Sequence, residues 1–446
     1  MDAFLHLNII LPMLLFLVLL VSGLPIAFAM GISGIIGLLG TFGLSATLGI
    51  VQSVPYRTVS TYTMTTIASF VLLAELAGQS GITEKLFNMA NRFVGHLRGG
   101  LSMATIVASA AFGAISGSSV AAAATMSRIA VPQMLDAGYS KRLAAGSVAI
   151  AGTLAVLIPP SLVLIIYGVL TETSIGKLFL AGIVPGLVTT LGYALTTRIW
   201  IKISPTIAPP GRPRDGWRDR VSSLRVGWPF ILVILAVLVA LYSGVITATE
   251  AGAAGAGATF FVWMLAYRIF PNDLVQPGYR NVRQAVERAL RTTTMILTLL
   301  IGAFIFSYFI TSTGLTQALV AWVAGLGLNR YLVLLFIIVV YLILGLFLSQ
   351  TEILVLTLPL VFPIIVQNGF DPVWFGIIIV KTVEVGLVTP PVGMNVYVVA
   401  NSGAGVTAGH GFRGAVPYIL VEILVIGLFV AFPEIVLFLP YSGAAL

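Results

Sequence analysis

Apolar runs of roughly bilayer length recur along this chain and constrain its fold more than any other feature. A helix needs about 20 apolar residues to cross the hydrocarbon core. Such runs lie near residues 8–22, 24–42, 58–80, 178–197, 228–244, 250–267, 292–312 and 416–440. Inside lipid every backbone N–H and C=O must find a partner within the protein, so these runs form helices. Charged residues are 9% of the 446, where soluble domains carry about 25%, and hydrophobic residues are 59%. Too few charges remain to cover a water-exposed surface. The expected fold is an all-α polytopic membrane protein in a lipid bilayer. A soluble enzyme, a DNA-binding module and a disordered scaffold are excluded, and the net charge of +8 calls for no nucleic-acid partner.

Basic residues set the sides, because Lys and Arg collect in cytoplasmic loops. The segment 198–225 holds Arg198, Lys202, Arg212, Arg214, Arg218, Arg220 and Arg225. The segment 268–291 holds Arg268, Arg280, Arg283, Arg288 and Arg291, with two spans between the groups. Lys85, Arg92, Arg98, Lys141 and Arg142 flank the segment 99–137 on both sides. That segment should enter and leave from the cytoplasmic face as a re-entrant hairpin. Counting outward puts both termini outside. The start lacks a basic n-region, so the first run reads as a retained span. There is no cysteine, hence no disulfide or thiolate metal site.

The segments 99–137 and 331–366 are apolar but interrupted by turn-prone residues, and 143–170 and 373–401 each contain a Pro-Pro pair. A shift of 231 residues superimposes Ser118 on Ser349, Pro132 on Pro363, Gly138 on Gly369, and Pro159-Pro160 on Pro390-Pro391. Gly81-Ile82-Thr83 matches Gly314-Leu315-Thr316 at a shift of 233. Two related halves are therefore expected, 1–200 and 226–446, joined by a basic cytoplasmic linker, 201–225. Each half has a hairpin, a Pro-Pro-broken transmembrane helix and four further spans, making five crossings. An odd number inverts the second copy. Inverted-topology repeats with broken helices are a construction plan of secondary transporters, whose site lies near the midplane at the repeat interface.

The Pro-Pro pairs remove amide donors and break their helices. The carbonyls of Gly152 to Ile158 and of Gly386 to Thr389 then lack intrahelical partners, and a desolvated Na⁺ suits such oxygens. Hairpin tips add hydroxyls and carbonyls at Ser116-Gly117-Ser118-Ser119 and Ser349-Gln350-Thr351. Half-helix N-termini there could hold a carboxylate through their amides. The simpler alternative is that each Pro-Pro is a packing kink and each Ser a helix cap; four motifs paired by the repeat favour a site.

Long motifs also carry a family resemblance. Gly95-His96-Leu97-Arg98-Gly99-Gly100-Leu101, Ala114-Ile115-Ser116-Gly117-Ser118-Ser119-Val120-Ala121, Ile158-Pro159-Pro160-Ser161, Leu170-Thr171-Glu172-Thr173-Ser174-Ile175-Gly176 and Gly386-Leu387-Val388-Thr389-Pro390-Pro391-Val392-Gly393-Met394-Asn395 are similar to the large membrane subunit of TRAP transporters, the tripartite ATP-independent periplasmic transporters of DctM-like type. The resemblance spans nearly the whole chain. It implies a secondary active transporter, not an enzyme, in the bacterial inner membrane with periplasmic termini. It implies Na⁺ as coupling ion, no organic cofactor, and elevator-type uptake of a small organic acid such as a dicarboxylate. A periplasmic solute-binding protein would deliver the acid, and a small four-span TRAP membrane subunit would be a separate chain, since no spans remain here for a fused one. Carried over, the Na⁺ regions fall on Ser116, Gly117, Ser118, Gly152, Thr153, Pro159, Ser349, Gln350, Gly386, Thr389 and Pro390. The substrate region falls on Ser118, Ser119, Thr351 and Asn395.

A charge inside the membrane is unfavourable by about 2.5–3.5 kcal/mol on insertion scales, so each is a functional candidate. The candidates are Glu75, Arg128, Glu352, Lys381, Glu384 and Glu422. Lys381 and Glu384 are three apart on one helical face; they either neutralise each other or take part in coupling. Arg128 is either a bidentate anchor for the substrate carboxylate or a charge at the hairpin base. Gly31, Gly34, Gly37 and Gly40, and the run Ala251 to Ala258, should allow close helix packing. The amphipathic stretch 82–97 should lie at the interface as an arm.

Rival functions fare worse. The histidines are His6, His96 and His410, without a H-E-x-x-H metal motif or a base for Ser118. No phosphate loop is present, so an ATP-driven pump is excluded. A stand-alone Na⁺/carboxylate symporter and, further off, a channel or facilitator remain as alternatives.

Overall fold

The computed structural model describes residues 2–403 and 405–442. Among them regular structure is helical: α1 (Asp2–Val21), α2 (Ile26–Ser60), α3 (Met64–Gln79), α4 (Ile82–Val94), α5 (Gly100–Ser116), α6 (Ser119–Asp136), α7 (Lys141–Gly152), α8 (Leu154–Leu157), α9 (Leu162–Thr171) and α10 (Ile175–Ile203) come first. After a linker with one 3₁₀ turn follow α11 (Trp217–Tyr242), α12 (Ala248–Ile269), α13 (Tyr279–Ser312), α14 (Leu315–Gly325), α15 (Arg330–Gly345), α16 (Gln350–Gln367), α17 (Pro372–Gly386), α18 (Met394–Ala400), α19 (Ala408–Ala431) and α20 (Glu434–Ser442). Among the described residues five helices are long and apolar enough to cross a membrane alone, and up to eight spans result if each bent pair is one.

The repeated residues hold repeated conformations. Gly81 and Gly314 are left-handed, at φ 78° and 73°, immediately before α4 and α14. Gly138 and Gly369 end α6 and α16 at φ 86° and 73°. Ser118 and Ser349 both N-cap the second hairpin arm. Ser140 and Asp371 N-cap α7 and α17 through their side chains. A side-chain oxygen at these positions can satisfy a first-turn amide, a reason for polar residues to recur inside apolar segments.

Sequence and structure differ at several element ends. Residues 44–57, left between the expected spans 24–42 and 58–80, are helical and follow Gly43, whose φ of 75° kinks α2, and the expected span 58–80 is divided between the end of α2 at Ser60 and α3. Gln52, Ser53 and Arg57 lower the hydropathy there without disfavouring helix. For the same reason α13 begins at Tyr279, well before the apolar run at 292. The expected span 416–440 is two helices, α19 and α20, separated at Phe432-Pro433. Within the expected linker 201–225, only residues 204–216 are outside α-helices.

The halves interlock. α2 packs along α13, and its counterpart α12 along α3. A Cβ on Gly34 would stand 3.0 Å from the Phe306 backbone, and one on Gly252 2.9 Å from Ser69. Both glycine runs therefore permit close packing as expected. α9, the second part of one broken helix, packs on α16 of the other half; α18 correspondingly packs on α6. The amphipathic stretch forms α4, bent 68° from α3, with Leu86, Phe87 and Ala90 buried. It packs against α5 and α11, and Lys85 reaches Asp273 at 3.0 Å.

Candidate functional site

The first hairpin turns at Gly117, which is left-handed at φ 59°. Ser118 caps α6, accepting from the Ala121 amide at 3.4 Å. A Cβ on Gly117 would lie 2.9 Å from Leu162 N and 3.3 Å from Pro160 O. A Cβ on Gly152 would lie 2.8 Å from the Ser119 carbonyl. The expected convergence of tip and break is therefore present: Ser116, Gly117, Ser118, Ser119, Gly152, Pro159 and Pro160 lie together. Pro159 and Pro160 are buried, and the Ser116 hydroxyl is buried without a hydrogen-bond partner.

Thr153 faces elsewhere. Its hydroxyl donates to the Ile150 carbonyl at 2.7 Å and lies 2.9 Å from the Tyr193 hydroxyl.

In the second half, the end of α15 crosses α17 where a Cβ on Gly345 would stand 3.0 Å from Gly386 Cα. Residues 387–393 are non-helical, and the Asn395 amide donates back to Leu387 O at 3.1 Å. The Asn395 side chain is fully buried, with neither its oxygen nor its nitrogen hydrogen-bonded. α18, which carries Asn395, packs on α6 of the first hairpin and on α7. Gln350 Nε2 is also buried and unpartnered. Thr389 donates to Val385 O at 2.6 Å, and Thr351 is half-buried. Pro390 and Pro391 are exposed, unlike Pro159 and Pro160.

The charges sort differently from their sequence spacing. Lys381 pairs with Glu422 on α19, not with Glu384 on its own helix. Its ammonium also donates to the Thr189 hydroxyl at 2.9 Å. Tyr193 donates to Glu422. The expected Lys381–Glu384 neutralisation is thus replaced by a cross-helix pair, because α19 and α10 lie against this face of α17. Glu384 is 3% exposed and neither of its oxygens has a hydrogen-bond partner. Glu352 caps α16: its carboxylate accepts from Ser349 N at 2.8 Å and Ser349 Oγ at 2.7 Å. Arg128 is exposed on α6, about 15 Å along the helix from Ser118 at 1.5 Å per residue. It does not reach the tip.

Sequence reasoning missed Thr189 and Tyr193, ordinary residues of an apolar run; Glu422 could have pointed to them, since a carboxylate there requires donors. It also missed Arg57. This residue lines a cleft of about 950 Å³ with Thr61, Thr63, Glu172 and Ser174, ample for a small organic acid.

Residues 13–435 match the family model of the tripartite ATP-independent periplasmic transporter, DctM component. The chain belongs to the DctM family. A DctM relative from Pseudomonas aeruginosa, a C4-dicarboxylate TRAP transporter large permease, is 35% identical over 390 residues, 86% of this chain and 88% of its own. The sialic acid TRAP large permease SiaM of Vibrio cholerae is 31% identical, covering 86% and 87%. An isethionate TRAP permease, DctMQ, from Oleidesulfovibrio alaskensis is 31% identical, over 86% of this chain but 59% of that longer one. In fold, this DctM chain is similar to the YdaH transporter of Alcanivorax borkumensis, with a TM-score of 0.63 at 14% identity, covering 88% and 90%. Family membership makes the chain a multi-pass membrane transporter subunit.

Proposed function

We propose that this chain is the transport-path subunit of a Na⁺-coupled tripartite system that imports a small organic acid into the cell. A periplasmic binding protein delivers the acid, and a separate small four-span subunit completes the membrane part. The observation that carries the reading is the pairing of each hairpin with a broken helix, where unpartnered polar atoms of Ser116, Gln350 and Asn395 are buried. Buried polar groups normally have partners, and a cation and a carboxylate would supply them. The relatives' named substrates, C4-dicarboxylates, sialic acid and isethionate, are all organic acids, which supports that class of cargo. The broken-helix logic of transporter sites supports two inverted repeats working around the midplane, and the basic loops support an orientation with periplasmic termini in the inner membrane. Helices α2, α3, α12 and α13 form the fixed frame, and the hairpins with α7–α9 and α17–α18 move as the elevator.

Two Na⁺ with a monoanion would carry one net charge inward. A potential of 100 mV then contributes about 2.3 kcal/mol, which is roughly 50-fold accumulation. The test is radiolabelled acid uptake into proteoliposomes holding this chain, its small subunit and the binding protein, each omitted in turn. Uptake that needs all three and collapses without inward Na⁺ is the expected result. Uptake by this chain alone would make it a stand-alone symporter, and Na⁺-independent equilibration a facilitator.

A further inference from the structure

We propose that the cleft beside Arg57 is a second binding site for the acid, at the outer mouth of the path, and that it takes a hydroxylated monocarboxylate. The proposal rests on the import reading above and narrows its substrate class. The cleft, about 950 Å³, lies between the C-terminal ends of α2, α9, α11 and α13 and the N-terminal ends of α3, α10 and α12. The opposite ends of α10, α11, α12 and α13 lie in the basic segments 198–225 and 268–291. The cleft therefore opens on the face away from the cytoplasmic loops, where the acid arrives. It is also apart from the hairpin tips. α9 begins at Leu162, beside Gly117 of the first tip, and its other end, Gly168 to Leu170, lines the cleft. At 1.5 Å per residue the two lie about 12 Å apart along the helix.

Among the described residues that line the cleft, Arg57 is the one cation and Glu172 the one anion. They stand on separate walls, Arg57 on α2 and Glu172 between α9 and α10, and no ion pair joins them. Arg57 is exposed, so its planar guanidinium is open to a carboxylate that accepts from two of its N–H groups. A second carboxylate on the ligand would face Glu172 and be repelled, whereas alcohol groups would donate to it. The hydroxyls of Thr61, Thr63, Thr173 and Ser174 share the lining. Thr61 donates to the Arg57 carbonyl at 2.7 Å, which leaves its oxygen as an acceptor for a ligand hydroxyl. One cation, one fixed carboxylate and a wall of hydroxyls match a monoanion that carries alcohols. Glu172 is also the one non-glycine residue with a left-handed φ, 56°, among the described residues. Holding it there is unfavourable by about 1–3 kcal/mol, and strain of this kind gathers at ligand sites.

The test uses the complex of this chain with its small subunit in nanodiscs. The chain contains no cysteine, so Thr63→Cys places one thiol in the cleft, at a residue whose side chain makes no cap bond. Its reaction with anionic sulfonatoethyl methanethiosulfonate is followed by mass spectrometry, with gluconate or succinate as competitor. Gluconate, a hydroxylated monoanion, is expected to slow labelling severalfold; succinate, a dianion without hydroxyls, is not. Arg57→Gln is expected to abolish the protection and Arg57→Lys to restore part of it. In proteoliposomes with the binding protein, Arg57→Gln should raise the half-saturating gluconate concentration about tenfold, as one charge-assisted contact is lost. Maximal rate and Na⁺ response should not change. A thiol that does not react, labelling that neither acid slows, or an unchanged half-saturating concentration would overturn the site, with Na⁺-driven uptake leaving the tips in place. Equal protection by succinate would overturn the hydroxy-acid class. Protection by gluconate without any Na⁺-driven uptake would uphold the cleft and overturn coupled import.

Discussion

Lys381 on α17 is held by Glu422 on α19, 41 residues further along the chain, while Glu384, one turn away on the same helix, is left without a bond. A lysine in an apolar run thus joins two helices instead of balancing its nearest carboxylate. Removing one member of a buried pair strands the other charge, at about 3–5 kcal/mol. Lys381→Met should therefore lower the unfolding temperature sharply in nanodiscs. The double variant Lys381→Met, Glu422→Leu should recover most of that loss. A double variant no more stable than the single would show that the pair is not what holds α17 to α19.

Asn395 offers a test that separates structure from function. Its side chain is buried with no hydrogen bond, so Asn395→Leu removes an unsatisfied amide and should leave thermal stability unchanged or raise it by up to about 1 kcal/mol. Na⁺-driven uptake should fall at least tenfold. Full uptake in a stable Asn395→Leu protein would remove this residue from the site.

Gly117 has both a left-handed φ and a backbone neighbour, with Leu162 N 2.9 Å from where a Cβ would stand. Gly117→Val combines about 1–2 kcal/mol of backbone strain with a steric push on the segment after Pro160. The Na⁺ concentration for half-maximal uptake should rise several-fold. Gly138→Val, equally left-handed but with open space around it, should lower stability and leave the Na⁺ response alone.

Glu352 is expected to behave as a cap. Glu352→Gln should reduce stability by about 1 kcal/mol or less, read by melting, with Na⁺ dependence unchanged. A shifted Na⁺ dependence would return Glu352 to the coupling machinery. Ser118→Ala is expected to do the opposite, losing Na⁺ dependence at near-normal expression, because its cap bond is long at 3.4 Å.

The turns, breaks and caps were legible because they depend on residues with few alternatives: glycine at positive φ, proline at a break, serine or aspartate at an N-cap. These leave the same marks wherever the backbone needs them. The partners of Lys381 were not legible, since three-residue spacing finds neighbours on one helix only, and Glu422 reaches it from α19 and Thr189 from α10. Nor were the full extents of α2 and α13. Hydropathy measures what lipid accepts, and residues 44–57 and 279–291 are helical outside the apolar runs.

The exchange of partners between halves also sets a timetable for assembly. The face of α6 that α18 covers is complete in the chain about 260 residues before α18 is synthesised. At about 5–20 residues per second, the first hairpin waits on the order of ten to fifty seconds in the bilayer with that face uncovered. During this interval only helices made earlier, such as α7 against α6 and α4, α7 and α8 against α5, cover the hairpin. A nascent chain arrested anywhere before residue 394 therefore presents a half-built groove, the form of this protein most open to recognition by membrane quality-control proteases.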